Sequence, residues 1–427
     1  MPEIIKISDL PLLSEAGFAG GRDNFHAFCK AIFSDRQPRY FRTKADALVV
    51  FNHADLMAFG TAPQIGNVPP GILFPGTMDA PPDAEAAPGK RIAEVLSAQV
   101  FTTNPPIHGA SRRILLNWIG PKQVTGMEGI VRDLVDNILD AMDNGTEVDF
   151  VPSVSEALTI GFWSKLLDLT ADEIARITQA TREMNRLFII DRTEEDLRAL
   201  DRAFDDYAKV LDDAAKRGLE NGNADLLEIQ RQLQELNFEE DINSVGVYPR
   251  TVSEVLSGNL IDGFHTAALA SANTCYTLSR HPHVLDEVRG SSQLLAKAIS
   301  ESLRLEPPVL LLRRYVLEDF EYDGMIVPRG TQVVMMWAAG NLDPKAFPEP
   351  YEFDLHRRHQ GMTVFGNGIH ICPGRYVGIM LTRILLEGLE ARNMRLRPGQ
   401  SAAEWIPGYF MSQLRSLPIA IERRAEE

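Results

Sequence analysis

From Pro106 to about Arg280, apolar residues recur three and four positions apart, the spacing that lines one face of a helix. VRDLVDNILDAMDNG ends on an Asn-Gly stop, and TADEIARITQATREMNRLF opens on Thr170 as its N-cap. TEEDLRALDRAFDDYAKVLDDAAKRGLENG alternates its charges along a solvated face. The stretch 251–280 is the most informative. Thr251 and Glu254 form a capping box after Pro249, and His281-Pro282 closes the far end. Thirty residues at 1.5 Å each make a helix of roughly 45 Å, long enough to cross a whole domain.

Either side of this helical block the pattern changes. PRYFRTKADALVVF (38–51) predicts short strands, followed by an amphipathic helix over His53–Phe59. From 60 to 106 the chain is rich in Pro, Gly and Ala, with one helical piece near Arg91–Val100. Such long apolar loops serve as lids or binding loops. A helix over Val284–Leu305, strand-like FEYDGMIVPRGTQVVMMW, a glycine-rich loop at 365–374 and a helix over Arg375–Arg392 complete the chain. No repeat or linker divides it. The pattern predicts one mainly α domain over 1–427 with a smaller β-rich part.

Composition adds exclusions. With 43 basic against 59 acidic residues the net charge is −16, which argues against nucleic acid or an anionic membrane as principal partner. No apolar run reaches membrane-spanning length, and the first twenty residues lack a basic start followed by an apolar stretch. The three cysteines (Cys29, Cys275 and Cys372) are far apart and odd in number, so a reducing, cytoplasmic setting without a disulfide framework is expected. No CxxC or paired-histidine spacing marks a zinc site.

The exceptional stretch is FGNGIHICPG, Phe365–Gly374. A cysteine just before a helix lies where unpaired N–H groups and the helix dipole favour a thiolate. Gly366, Gly368 and Gly374 let the backbone turn back or approach something bulky. A thiolate on a close-approach loop suits a large flat ligand bearing a metal.

F-G-x-G-x-H-x-C-x-G resembles the haem-binding signature of the cytochrome P450 family, with every specified position filled. The resemblance implies the P450 fold and haem b as cofactor. Cys372 would be the proximal iron ligand, Phe365 would pack beside the sulfur and His370 would reach a haem propionate. Glu301 and Arg304 in ESLR match the family's E-x-x-R, a structural pair supporting the haem loop. Where its third partner is often an arginine this chain has Glu352, with Arg357 a substitute. PPIHGASRR resembles PPxHxxxRR, placing His108 and Arg112 on one helical face toward a propionate. Arg314 matches the propionate arginine that follows E-x-x-R, and AAGNLDP (338–344) resembles AANRDP. These matches run from about Asp46 to Leu417.

In the family, the long helix crosses the oxygen-binding face with [AG]-G-x-[DE]-T. Here the segment is Asp262-Gly263-Phe264-His265-Thr266. Gly263 and Thr266 match, His265 replaces the acid, and Asp262 replaces the small residue. A mid-helix glycine costs about 1 kcal/mol, and ligand approach is a reason to keep Gly263. Thr266 can bond back to the 262 carbonyl, and Asp262 shares its face. Asp262 or His265 would take over proton delivery.

The resemblance implies a monooxygenase acting on a hydrophobic organic substrate, with electrons from a separate ferredoxin and its reductase. A basic patch including Arg113 and Arg375 would dock the donor. Leu260, Gly263, Val309, Leu312 and Phe410, within the stretches 260–266, 309–312 and 409–411, would contact the substrate together with the 60–106 lid. The missing acid is also compatible with a second reading, a peroxide-driven enzyme, a dehydratase or isomerase, or a nitrogen-oxide reductase.

Overall fold

The computed structural model describes residues 3–33, 38–73, 87–142, 147–188, 193–236, 249–408 and 410–423. They form a mainly helical fold with small sheets and divide into two compact units, each assembled from separate stretches of chain. The first comprises 1–66, 135–155 and 268–427, and the second 67–134 and 156–267.

The first unit holds the sheets. Its five-stranded sheet runs in the order Phe41–Arg42, Leu48–Val50, Gln332–Met335, Leu312–Val316, Ile65–Gly66. Leu48–Val50 lies parallel to Gln332–Met335, with Leu48 opposite Val333 and Val50 opposite Met335. Alternate residues enter two different cores. Leu48, Val50, Val333 and Met335 pack with Phe59 and Trp337, whereas Val49 and Val334 pack with Phe25, Phe28 and Phe51. Both sheet faces are therefore buried, which is why ALVVF and QVVMMW read as unbroken apolar runs. A hairpin of Glu404–Ile406 with Gln413–Ser416 lies near the C-terminus.

The second unit is helical. Glu194–Glu220 packs against Ala171–Met184 and Lys90–Ser97. Thr170 caps Ala171–Met184 in a complete capping box with Glu173. A chain of rings, Trp118–Trp163–Phe264–Tyr207, fixes the long helix Val252–Arg280, with successive centroids 5.7, 6.2 and 6.3 Å apart.

Several boundaries differ from the sequence expectation. The segment 284–305 is two helices, Pro282–Glu287 and Ser292–Leu305, because Gly290 turns at φ +69° and Ser291 caps the second through Leu294 N. The helix expected near Arg91–Val100 is Lys90–Ser97, followed by a 3-10 turn at Val100–Thr102, and a short helix, Pro70–Leu73, precedes it. Residues 74–86 of that region, the Asn144-Gly145 stop and Tyr409 lie outside the described residues. At Thr251 the hydroxyl accepts from Glu254 N at 3.1 Å, but the Glu254 carboxylate accepts from Arg250 N instead of closing the reciprocal box.

Candidate functional site

In the first unit, the stretch 365–374 is anchored at both ends. Thr363 N donates to Asn341 Oδ1 at 2.8 Å, and Thr363 Oγ1 donates to Trp337 O at 2.5 Å. Cys372 N donates to Phe365 O at 2.9 Å, closing the loop, and Arg375 Nη1 donates to Cys372 O at 2.6 Å. The helix Arg375–Ala391 starts behind Gly374, whose missing Cβ would stand 3.9 Å from Cys372 Sγ.

Two glycines make the turn possible. Gly366 and Gly368 adopt φ +71° and +68°, the left-handed region that side chains disfavour. At Gly368 a Cβ would stand 2.1 Å from Gly60 O, so the close approach there is to the chain's own backbone. At Gly366 the nearest atom would be 3.9 Å away. Every residue from Val364 to Tyr376 keeps some accessible surface, and Ile369 is 53% exposed. The closed loop thus leaves Phe365, Ile371 and Cys372 partly accessible and Ile369 exposed.

Glu301 and Arg304 are fully buried and joined by two bonds of 2.8 Å. Arg304 also donates to the carbonyls of Asn341, Pro350 and Glu352. Arg357 Nε reaches Glu301 Oε1 at 3.0 Å, and its other nitrogens bind the carbonyls of Pro348, Glu349 and Glu352. Glu352 contributes only its carbonyl here. His359 Nε2 lies 2.9 Å from Glu301 Oε2, a partner the sequence reading missed. HRRH presents four basic residues in a row, and nothing local says which face inward; His356 instead meets Glu287 at an exposed site. Burial pushes the Glu301 carboxyl up, but bonds from Arg304 and His359 outweigh it and hold the group to about 2.

Arg314, on the strand Leu312–Val316, is 5% exposed, and burial pushes its guanidinium down to about 10. An anion against it would reverse that cost. Val309 bridges Met411, and Leu310 N donates to Phe410 O at 2.8 Å, so two of the expected substrate contacts, Val309 and Phe410, lie on neighbouring segments. Leu312 is half-buried against the Phe59–Trp337 core.

In the second unit, His108 is buried and shares the helix Ile107–Ile119 with Arg112 and exposed Arg113. On the long helix, Thr266 Oγ1 donates to Asp262 O at 2.7 Å. Leu260 is buried, and His265 is half-buried. Gly263 is explained differently from the sequence expectation: a Cβ there would meet the Trp163 indole at 2.9 Å. The glycine makes room for a ring of the protein itself. Asp262 is exposed by surface area although protein atoms surround it, and that crowding pushes its carboxyl up to about 6. Gln99 Nε2 donates to its Oδ2 at 3.4 Å, a contact with no sequence signal.

The loop chemistry fits a haem. Cys372, partly exposed, is held by bonds of its backbone beside a helix start, and a buried guanidinium in the same unit suits a carboxylate. Among the described residues no three His, Cys, Asp or Glu gather to hold a metal ion, so a metal at Cys372 would bring its other donors with it, as a porphyrin does.

Comparison with known proteins agrees. The family profile described as Cytochrome P450 matches residues 95–389. Linalool 8-monooxygenase of Pseudomonas putida is 28% identical over 324 residues, covering 75% of this chain and 77% of that protein. Cytochrome P450 monooxygenase PikC of Streptomyces venezuelae is 28% identical over 340 residues, covering 78% of each. Among solved structures, P450BioI in complex with an acyl carrier protein ligated to hexadec-9Z-enoic acid superposes with a TM-score of 0.78. It is 17% identical and covers 94% of this chain and 99% of its own, a likeness of fold.

Proposed function

This chain belongs to the cytochrome P450 family, and from that premise we propose that it is a haem-thiolate monooxygenase using haem b to insert one oxygen atom from dioxygen into a hydrophobic organic substrate. The observation that carries the reading is the closed loop 365–374, with Cys372 N on Phe365 O and Cys372 itself partly exposed. When bound, haem supplies dioxygen activation and oxidation of a substrate C–H bond.

The residues have distinct tasks. Cys372 gives the thiolate, and the bond to its carbonyl from Arg375 fixes the turn that aims it. Arg314, His370, His108 and Arg112 would take the propionates. Thr266 holds a proton at Oγ1, directed at the Asp262 carbonyl, and either Asp262 or His265 would replenish it. Val309, Leu312 and Phe410 would contact the substrate. Electrons would come from a separate ferredoxin and its reductase, with Arg113 in the docking patch. Arg375 is already engaged with Cys372 O and stacks on the Tyr376 ring at 4.2 Å. Among the described residues no helix is long and apolar enough to cross a membrane.

The reduced protein under carbon monoxide should give the red-shifted Soret band of thiolate ligation, and Cys372→Ala should abolish it. An unchanged band in that variant sinks the reading. His265 in the acid position favours a second reading, a haem-thiolate enzyme driven by peroxide or acting as a dehydratase, isomerase or nitrogen-oxide reductase. Turnover with peroxide alone, and none with dioxygen and a surrogate ferredoxin system, would select its peroxide-driven form.

A further inference from the structure

The helix Ser292–Leu305 is joined to the strand Leu312–Val316 through Glu306-Pro307-Pro308-Val309. Two successive prolines have no N–H to give, so 307 and 308 can only accept hydrogen bonds. Ser412 N donates to Pro308 O at 2.8 Å, Val309 bridges Met411, and Leu310 N donates to Phe410 O at 2.8 Å. Segments 308–310 and 410–412 are therefore one two-stranded piece. Its near end is fixed where Ala338 N donates to Leu310 O at 3.0 Å. Val309 and Phe410 keep accessible surface, whereas Leu310, Met411 and Ser412 are buried.

The far end is fixed by a side chain of the long helix. Asn273 is fully buried, and its Nδ2 donates to Glu306 O and to Ser412 O, each at 3.1 Å. Both acceptors are carbonyls, so only the nitrogen of the amide can face them. One carbonyl stands at the end of the helix Ser292–Leu305, two residues before Pro308. The other directly follows Met411. A single NH2 group thus clamps both strands where they leave the two-stranded piece.

The clamp has a fixed reference. The carboxylate of Glu306 is held by the helix Arg22–Ile32, with Arg22 Nε donating to Oε2 at 3.0 Å and His26 Nε2 lying 3.3 Å from the same oxygen. Asn273 therefore ties the 410–412 strand to a point that is already anchored. Packing alone does not account for the amide. Asn273 Oδ1 has no hydrogen-bond partner among the described residues, and burying that oxygen is a cost a leucine would avoid. What the side chain contributes is its pair of N–H donors.

Resting on the monooxygenase reading and deepening it, we propose that Asn273 is a positioning residue for substrate selectivity. By clamping the carbonyls of 306 and 412 it sets how Val309 and Phe410 stand relative to each other, and so the shape of that part of the substrate wall. Asn273 touches no substrate itself and acts through those two side chains. The effect is large for a remote group, because a misplacement of about 1 Å far from the reacting atoms can cost about 100-fold in rate. Losing the donors leaves two buried carbonyls unpaired, and the 410–412 strand then relaxes away from its reference.

The test uses the haem-loaded enzyme and two azole probes, imidazole and 4-phenylimidazole, titrated by the Soret shift at one pH. Both ligate iron through an imidazole nitrogen, so the ratio of their dissociation constants cancels the iron and reports what the phenyl ring gains from the wall. Asn273→Leu removes both donors without emptying the site, and it should lower the phenyl preference on the order of fivefold or more. Thr277→Val controls for lost stability, because the Thr277 hydroxyl bonds its own helix at Asn273 O. It should leave the preference within about twofold. Phe410→Ala should also lower it, and Asn273→Leu added to Phe410→Ala should lower it by less than Asn273→Leu does alone. If the leucine variant does not load haem, Asn273→Ser, which keeps one donor, should show a smaller fall in the same direction. An unchanged ratio in the Asn273 variants, an equal fall in Thr277→Val, indifference to Phe410→Ala or additive losses in the double variant would overturn the proposal. The carbon monoxide spectrum of the unmodified enzyme separates the two claims. A missing thiolate band condemns the haem reading, whereas a normal band with an unchanged ratio condemns only the clamp.

Discussion

At the scale of single residues, Gly263 shows how one letter supports two physical explanations. The sequence puts it in a motif where ligand approach accounts for a costly mid-helix glycine, while the fold puts the Trp163 indole against its open side. Alanine there gains about 1 kcal/mol of helix propensity but forces a buried ring aside, and overpacking costs about 1–3 kcal/mol. Gly263→Ala should therefore be less stable in urea unfolding, and Trp163→Phe in the same background should recover part of the loss. A stabilised single variant would show that the ring yields freely. Gly366 and Gly368 make a second contrast. Both need a positive φ, so alanine at either is strained by about 1–2 kcal/mol. Only Gly368→Ala also drives a Cβ into Gly60 O. Gly366→Ala should keep its carbon monoxide band with a modestly lower unfolding midpoint, and Gly368→Ala should lose the band.

Among elements, the helix Ser292–Leu305 matters through its last turn. Glu301 and Arg304 face inward; Arg304 ties down the carbonyls of 341, 350 and 352 and Glu301 accepts from Asp354 N, so a stretch with little regular structure is held by charged side chains in place of a ladder. Such a network is strong only while complete, and removing one partner from a buried pair costs about 3–5 kcal/mol. Glu301→Gln should fall in that range by chemical denaturation and lose haem on gel filtration. Arg357→Ala should cost more than His359→Ala, because Arg357 also binds three carbonyls. The reverse order would make the histidine the principal support.

For the whole molecule, acid sensitivity follows from the same carboxylates. Glu301 is held to about 2, and Glu306, buried yet bonded to His26 and Arg22, is also lowered. A depressed carboxyl adds stability above its unfolded value, about 4.3, and loses it as pH falls toward the folded value. The urea midpoint should therefore hold near neutrality and drop between about pH 4.3 and pH 2. In Glu301→Gln that drop should be shallower, and an equal drop would mean that other groups govern acid unfolding.

Local chemistry made much of this protein legible in its sequence: the Thr170 N-cap, the strands of ALVVF and QVVMMW, the long helix between Thr251 and His281, and the cysteine loop. Each depends on neighbours within a few residues, or on a spacing the backbone converts directly into a face or a turn. Long-range packing decided the rest. That Arg357 and His359 turn in while His356 turns out, and that Gln99 meets Asp262, depend on groups far apart in the chain. Side-chain partnership across such distances is set by which surfaces the fold presses together, and no short window of sequence carries that information.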